Sequence, residues 1–527
     1  MKKSNIIRLL GISMLPISLF ASTIIVAACA NNNGSNNNDI NRPPGDVNIP
    51  NPPIDDDNNN SSKPPENNKP GSGTTHNRYG HNTPNPNYAN DPANSFLISS
   101  APSNTEDFTP SDGIVKGTPS HSGSLTNEGQ VKNAKKSFAI QFGYGTMGTA
   151  WILDYKIPDG MTDSSSYTSQ NYPLTWYFAT NAHVLDNFYA ENDPLYPTKN
   201  DFFNNYTDSI SFLSLANPQV GTEYGTPNDN PQQWIRRYAR LTADNQYPAS
   251  ATARRVYFGN DFLKTSPKDF NASNRFKNME EYADFAVLEV TFTQHSNPEY
   301  EDGALEVTNG YANLPQEEKF KYHKQDLLKN PQLLKDKNLH LVGFPEKRSP
   351  TSHFNTNRDV FVNRPEKPTE QQKLEGSNLS TSPYYNTFDK HPGYMDGAIG
   401  MSGWFGYRYY GENDKEYATW GLIYPHNYGA LNPGSSGSLL ADGDGYVWGI
   451  HFASDSKAVT GLAQALYSEG YDYEGKYGKY SLPAYDLING GSQFPLQKTS
   501  YRDNLIKLYG ANPTPYRTNI FPNGINR

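Results

Sequence analysis

Beyond about residue 95, hydrophobic positions occur in short runs that turn-forming residues separate. The runs Ser137–Phe142 and Thr149–Leu153 are two examples, and a glycine or an aspartate follows directly. Apolar runs of this length between turn formers are typical of β-strands. Because Tyr, Asn, Gly and Pro recur between them, the pattern predicts a mostly β body with long loops.

Two stretches have a pattern that favours helix instead. The run from Gln316 to Lys337 is rich in Glu, Lys and Leu, which predicts a helix. Residues 503–510 combine Leu, Ile and Lys and end in Gly510, a residue typical of a helix C terminus. We therefore expect a few short helices within a fold dominated by strands.

The N terminus has the pattern of a bacterial export signal. Basic residues precede an apolar stretch that ends in small residues before Cys29. Cys29 is the single cysteine of the chain and lies where a lipoprotein signal is cleaved and acylated. We predict a lipoprotein signal peptide over 1–29 and a lipid, including palmitate, on Cys29 that holds the protein on the extracellular face of the cell membrane. A transmembrane anchor with an incidental cysteine is the alternative.

The composition changes sharply after this signal. Residues 30–94 are dominated by Asn, Pro, Gly and Asp and contain few large apolar side chains. Such a segment buries too little surface to offset the entropy of ordering, so it predicts a disordered stalk. The remaining residues, 95–527, are long enough to form a sizeable hydrophobic core.

Three segments carry candidate catalytic chemistry, in the order His, Asp, Ser along the chain. They read T-N-A-H ending at His183, D-F-A-V-L beginning at Asp284, and G-S-S-G-S centred on Ser436. Each has an ordinary alternative when taken alone: a solvated histidine, a turn aspartate and a loop serine. Together, in this order, they predict a catalytic triad.

The chemistry explains why these residue types would be needed. Ser436 would attack a carbonyl carbon, and His183 would take its proton and pass it to the leaving amine. Asp284 would orient and stabilise the imidazole. The backbone N–H groups of Gly434 and Ser436 would receive the oxyanion. This mechanism requires no metal and no organic cofactor.

The three strings, in this order, resemble the chymotrypsin-like serine peptidases. Leu341-Val342-Gly343-Phe344-Pro345 is also similar to a strand and turn found between Asp and Ser in bacterial members. The resemblance implies a double β-barrel with the site in the cleft between the barrels. The spacing between the triad residues exceeds what a compact double barrel needs, so we expect insertions at about 189–280, 293–337 and 350–425.

A lipoprotein signal, an Asn-rich stalk and this triad together resemble the mycoplasma surface serine-peptidase lipoproteins. The resemblance implies a membrane-anchored extracellular serine endopeptidase that cleaves host immunoglobulin heavy chain, with the antibody presented by a separate immunoglobulin-binding surface protein. The alternative is a catalytically inactive protease-fold lipoprotein that binds immunoglobulin or acts as an adhesin. A net charge of −9 disfavours nucleic acid as a partner.

Two residues bear on substrate preference. Ala430 stands six positions before Ser436, where trypsin-like enzymes carry an acidic residue, so a basic P1 side chain is not expected. His451 follows Ser436 by fifteen positions, as in bacterial glutamyl endopeptidases, and could contact an acidic P1 side chain. Alternatively, His451 is only a strand residue that lines the cleft. Leu431 favours this second interpretation, because those enzymes carry a threonine there.

Overall fold

A computed structural model gives the architecture of the part of the chain that follows the predicted stalk. It describes residues 124–143, 147–162, 166–186, 188–190, 193–196, 206–243, 247–270, 279–299, 303–334, 337–345, 361–362, 379, 388, 393–400, 409–410, 416–427, 434–455 and 460–526. The predicted signal peptide (1–29), the predicted stalk (30–94) and Ala430 lie outside these residues.

Strands dominate the described residues, which confirms the mostly β prediction. In chain order they are β1 (Ser137–Phe142), β2 (Met147–Tyr155), β3 (Thr175–Thr180), β4 (Ser209–Leu215), β5 (Trp234–Arg240), β6 (Ala251–Asn260), β7 (Met279–Phe292), β8 (Lys321–Tyr322), β9 (Leu339–Gly343), β10 (Phe361–Val362), β11 (Met395–Asp396), β12 (Tyr409–Tyr410), β13 (Glu416–Thr419), β14 (Leu422–Asn427), β15 (Leu439–Asp442), β16 (Tyr446–Asp455), β17 (Thr460–Ala465), β18 (Tyr467–Tyr471) and β19 (Leu482–Asp486).

The helices are short. They are α1 (Glu128–Ala134), α2 (Ala182–Leu185), α3 (Ala304–Val307), Gly397–Gly400 and a C-terminal helix, Tyr501–Tyr509, with 3-10 turns at Pro231–Gln233, Pro267–Asp269, Tyr311–Asn313, Gln316–Glu318 and Pro331–Leu334. In the described part of the chain, no helix has both the length and the apolar character to cross a membrane.

Most strands belong to two large sheets. The first has the order β12-β13-β7-β3-β2-β1-β4-β5, with β6 also paired to β7, and the second has the order β10-β9-β15-β16-β17-β14-β11, with β8 paired to β16. Pairing is antiparallel except between β13 and β7 and between β16 and β8. Asp284 lies on β7 of the first sheet, His183 follows β3 of that sheet, and Ser436 precedes β15 of the second sheet. Two mainly antiparallel sheets with the residues placed in this way form the chymotrypsin-like arrangement that the triad order implied.

Part of the predicted insertion at 189–280 belongs to the first sheet. The strands β4, β5 and β6 lie within this range and extend the sheet on both sides of its centre. β4 pairs with β1, while β6 runs beside β7. The range 293–337 supplies α3, several 3-10 turns and the short β8, whereas most of 350–425 lies outside the described residues.

The helix predicted over 316–337 was wrong. In its place are two 3-10 turns and the two-residue strand β8, which pairs with Tyr446 and Val447 of β16. The buried Phe320 ring stacks on Trp151 with centroids 5.3 Å apart. Long-range packing and pairing therefore overrode the local helical preference, which is weak per residue. The predicted C-terminal helix is confirmed: it spans Tyr501–Tyr509 and is followed by Gly510.

The hydrophobic core joins the two sheets. One buried cluster includes Trp151 of β2, Leu341 of β9 and Leu439 of β15, and so reaches from the first sheet into the second. A second cluster lies under the first sheet, where Phe138 meets Phe178 and Phe212 at centroid distances of 5.9 and 5.8 Å. This packing fixes the ends of β2 and β3 against the start of β15.

Candidate active site

His183 lies in the turn where β3 ends and α2 begins. Its Nδ1 lies 2.6 Å from Oδ2 of Asp284, and its backbone N–H donates to Oδ1 of the same carboxylate at 3.2 Å. The Asp284 side chain is 2% exposed and that of His183 is 16% exposed. When Nδ1–H donates to the carboxylate, Nε2 is left as the nitrogen that can accept a proton.

The backbone of Asp284 is held by the residue before α2. Asn181 donates from Nδ2 to the Asp284 carbonyl oxygen at 2.6 Å, and β3 pairs with β7 so that Thr180 lies opposite Ala286. The histidine turn and the aspartate strand are therefore connected by backbone pairing, by an amide side chain and by the carboxylate itself. These contacts position the imidazole before any substrate arrives.

Ser436 lies on a tight loop that leads into β15. Gly434 and Gly437, on either side of it, both have a φ of 95°. The Gly437 N–H donates to the His451 carbonyl at 2.9 Å, and the Ser438 N–H donates to the Ser435 carbonyl at 3.0 Å. Ser436 itself is 7% exposed. The loop thus has a fixed backbone that glycine's freedom at positive φ makes possible.

Thr149 of β2, in the first sheet, holds this loop through a set of hydrogen bonds, here called the Thr149 clamp. Its backbone N–H donates to the Ser436 carbonyl at 2.8 Å, and its hydroxyl donates to the Gly434 carbonyl at 3.0 Å. The same hydroxyl accepts the Phe344 N–H at 3.1 Å, while the Thr149 carbonyl accepts from the Thr180 hydroxyl at 2.8 Å. One residue therefore connects β3, the Ser436 loop and the end of β9.

The start of β2 brings the nucleophile loop beside the histidine turn. A methyl group added at Gly148 would lie 2.6 Å from the Val184 side chain and 3.2 Å from the Ser436 carbonyl oxygen. Val184 directly follows His183, so Gly148 of β2 lies between the His183 segment and the Ser436 loop. The structure thus brings all three predicted triad residues to one region, although they are far apart in sequence.

The Ser436 loop also offers backbone donors. Among the described residues, the N–H groups of Gly437 and Ser438 are bonded within the protein, whereas those of Gly434 and Ser436 donate to no described acceptor. Two such N–H groups next to a nucleophile have the chemistry of an oxyanion site.

His451 lies under the loop and is buried beside a second histidine. Its backbone N–H donates to the Ser438 carbonyl at 2.8 Å, and its ring centroid lies 5.6 Å from that of His426 on β14. Burial lowers the pKa of His426 to about 3, and burial together with the neighbouring His426 and His183 holds the pKa of His451 well below its usual value. Both imidazoles are therefore neutral near pH 7.

Sequence reasoning missed the residues that position the triad. Thr149 has no sequence signature, because its partners come from distant segments. Thr180 and Asn181 lay inside the T-N-A-H string but were not singled out. Among the described residues, the side chains that could together hold a metal ion are Asp261, Glu280 and Glu281, and none belongs to the triad.

Comparison with known proteins finds relatives that are named as lipoproteins and a solved structure that shares the fold. A "Membrane-associated lipoprotein" of Ureaplasma parvum is 28% identical over 72% of this chain, and an "Uncharacterized lipoprotein" of Mycoplasma pneumoniae is 24% identical over 73% of it. The chain spans 50% of the first relative and 73% of the second. A solved structure of the mycoplasma MIB and MIP proteins shares the fold, with a TM-score of 0.54 and 21% identity over 72% of this chain and 60% of the solved one.

The family comparison covers the three segments of the predicted triad. The model of the Mycoplasma immunoglobulin protease family matches residues 127–453, which contain His183, Asp284 and Ser436. This range is more than half of the chain and includes most strands of both large sheets. The chain belongs to the Mycoplasma immunoglobulin protease family.

Proposed function

We propose that this protein is a serine endopeptidase, attached to the outer face of the cell membrane, that hydrolyses a peptide bond in host immunoglobulin heavy chain. His183, Asp284 and Ser436 would form its triad. The observation that supports this most is the 2.6 Å contact between His183 Nδ1 and Asp284 Oδ2, with the Ser436 loop fixed beside the same histidine turn.

In the first half of the reaction, the Ser436 hydroxyl oxygen attacks the carbonyl carbon of the substrate while His183 Nε2 accepts its proton. The Asp284 carboxylate stabilises the resulting imidazolium through Nδ1–H. The proton then moves to the leaving amine, the C–N bond breaks, and an acyl-serine remains. A water molecule, deprotonated by the same nitrogen, releases the acyl group and restores the serine.

The developing oxyanion would be received by the backbone N–H groups of Gly434 and Ser436. In comparable sites, removal of one such donor costs about 3 kcal/mol of transition-state stabilisation. The hydrogen bonds from Thr149 to the carbonyls of Gly434 and Ser436 would hold the loop in place, because these carbonyls belong to the peptide groups next to the two that carry the N–H donors.

We propose that the pocket for the substrate's P1 side chain, next to His451, has uncharged walls. His451 and His426 are buried, adjacent and neutral, so a carboxylate entering here would meet no resident cation. Protonating a buried imidazole at pH 7 costs about 1.4 kcal/mol for each unit by which its pKa lies below the solution pH. These properties support His451 as a neutral strand residue lining the cleft rather than as an acidic-side-chain receptor.

Paired peptides that differ only in Glu or Gln at P1 test this pocket. With a neutral wall, the Gln peptide should have a kcat/KM at least equal to that of the Glu peptide at pH 7.5. A Glu peptide cleaved tenfold faster, with the preference lost in His451→Gln, would contradict the neutral wall.

Membrane attachment and a partner are part of the same proposal. The relatives from Ureaplasma parvum and Mycoplasma pneumoniae are named as lipoproteins, and Cys29 is positioned for the equivalent lipid. The solved structure to which the chain is similar contains two proteins, MIB and MIP. By analogy, we propose that a separate surface protein presents immunoglobulin to this enzyme.

Cleavage of purified immunoglobulin by the full chain tests the proposal, with Ser436→Ala as the matched control. We expect new heavy-chain termini with the wild type and none with Ser436→Ala, as read by mass spectrometry. If wild type and variant both bind immunoglobulin and neither cleaves it, the alternative of an inactive binding lipoprotein is correct. Equal cleavage by both would remove Ser436 from the mechanism.

A further inference from the structure

Three acidic side chains meet where β6 ends and β7 begins. Asp261 directly follows β6, and Glu280 and Glu281 lie near the start of β7. Each offers a carboxylate oxygen, and these three oxygens all lie within 4.8 Å of one another. The Asp261 N–H also donates to the Glu281 carbonyl at 2.8 Å, so the backbone holds the two segments together.

Of these three acidic residues, Glu281 gives the strongest indication that a ligand binds. Its residue is 0% exposed, and its Oε1 accepts the Leu263 N–H at 2.8 Å. Its Oε2 is also buried and, among the residues that the structure describes, has no hydrogen-bond donor. An unmatched carboxyl oxygen in the interior is costly, so such groups are normally paired, protonated or bound to a metal ion, and burial raises the pKa of Glu281 to about 9.

The lysines nearby leave this oxygen unmatched. Lys498 contacts Oδ2 of Asp261 at 2.6 Å, and Lys268 contacts Oε1 of Glu280 at 3.5 Å. Both lysines are about half exposed, so they approach the cluster from its solvent side. Each bridge is made to one oxygen of its carboxylate, and a carboxylate has acceptor sites on both oxygens, so both side chains keep the capacity to bind a cation.

We propose that Asp261, Glu280 and Glu281 bind a divalent cation of the calcium type. Calcium–oxygen distances of about 2.3–2.6 Å place opposite ligands about 4.6–5.2 Å apart, which accommodates three oxygens within 4.8 Å of one another. Calcium also tolerates irregular sets of carboxylates, amide oxygens and waters. Asn260, next to Asp261, offers a buried amide oxygen that has no donor among the described residues.

The cation has a structural role in this proposal. It joins the end of β6 to the start of β7, and β7 continues to Asp284 three residues after Glu281. The triad chemistry itself needs no metal, so cation binding and peptide hydrolysis are separate properties. Calcium is expected to stabilise the strand that carries the aspartate without entering the reaction.

Calorimetric titration of the chelator-treated full chain with CaCl2 tests this directly. We expect binding with one site and a Kd between about 10⁻⁶ and 10⁻³ M, together with a Tm that rises as calcium is added. MgCl2 should bind at least tenfold more weakly, because Mg²⁺ demands shorter, octahedral coordination. No heat and no Tm shift with calcium, or equal affinity for magnesium, would overturn the proposal.

Variants separate this site from adventitious binding to an acidic protein. Asp261→Asn with Glu280→Gln should weaken calcium binding at least tenfold while leaving the buried Glu281 in place. The control pair, Glu223→Gln with Glu474→Gln, removes the same charge at exposed positions and should bind as the wild type does. Tm in chelator verifies that each variant is folded. Unchanged affinity in the first pair would contradict the site.

Discussion

At the scale of single residues, the candidate site depends on backbone geometry as much as on the three side chains of the predicted triad. Gly437 illustrates this. It has a φ of 95°, and a Cβ added to it would lie 1.9 Å from the Thr149 carbonyl oxygen and 2.6 Å from the Thr180 hydroxyl. The glycine that follows the nucleophile is therefore required both by its dihedral angle and by the close approach of β2 and β3.

Gly437→Ala should consequently abolish measurable peptidase activity, because the loop must move away from β2 to accept a methyl group. Gly475→Ala is a matched control: its φ of 79° is also positive, but nothing lies within 4 Å of an added Cβ. Both variants carry the dihedral strain, of order 1 kcal/mol. Rates of immunoglobulin cleavage and thermal midpoints of both would be compared. Equal rates would show that the close approach is unimportant.

At the scale of elements, the Thr149 clamp connects β2 to the nucleophile loop. Thr149→Val keeps the shape of the side chain but removes the hydroxyl that donates to Gly434 and accepts from Phe344. We expect stability to fall by about 1–3 kcal/mol, because buried backbone groups lose partners, and kcat to fall at least tenfold, because the Gly434 peptide is no longer held.

Thr149→Ser restores the hydroxyl and serves as the control for the valine variant. Serine should recover most of the lost kcat, whereas a purely steric role for the methyl group would leave the valine variant active and the serine variant impaired. Peptide hydrolysis and urea unfolding, measured on both variants, distinguish the two cases.

Asp154 connects β2 to the C-terminal segment, and its ionisation should make the free energy of unfolding depend on pH. Tyr501 donates to its Oδ2 at 3.2 Å and the Ile520 N–H donates to its Oδ1 at 3.0 Å. Burial raises the pKa of Asp154 from about 3.8 to about 7. A carboxyl whose folded pKa is raised contributes its full stability below pH 4 and loses it as the pH rises through 7.

Asp154→Asn should therefore lose less stability than the wild type between pH 5 and pH 8. The difference in this loss is about 2–3 kcal/mol, since a pKa unit corresponds to about 1.4 kcal/mol. Urea unfolding at both pH values provides the measurement. The exposed Asp159→Asn should retain the wild-type pH dependence, and a wild-type slope in Asp154→Asn would show that this carboxyl does not titrate in the window.

At the scale of the whole molecule, the fold class and the triad order could be predicted from sequence because each rests on local strings. His183, Asp284 and Ser436 lie within recognisable motifs, and short apolar runs correctly indicated strands. The helix predicted over 316–337 was wrong because Phe320 packs on Trp151 and β8 pairs with β16, contacts between segments far apart in the chain.

The same reason explains what the sequence could not indicate about the site. Thr149 acts through Ser436, Gly434 and Phe344, and no local pattern encodes partners at such separations. The pairing of His451 with His426 depends on β17 lying between β16 and β14. Motifs thus predicted a candidate triad, whereas the packing of two sheets determines which residues surround and hold it.

The most direct test of the account is fluorophosphonate labelling of the full chain, with the modified residue located by tandem mass spectrometry. An activated serine should react at Ser436 at neutral pH, and His183→Ala should reduce the labelling rate at least a thousandfold, because the general base is lost. No adduct on Ser436 in the wild type, or labelling unchanged in His183→Ala, would contradict the triad and with it the assignment of the protein as a serine endopeptidase.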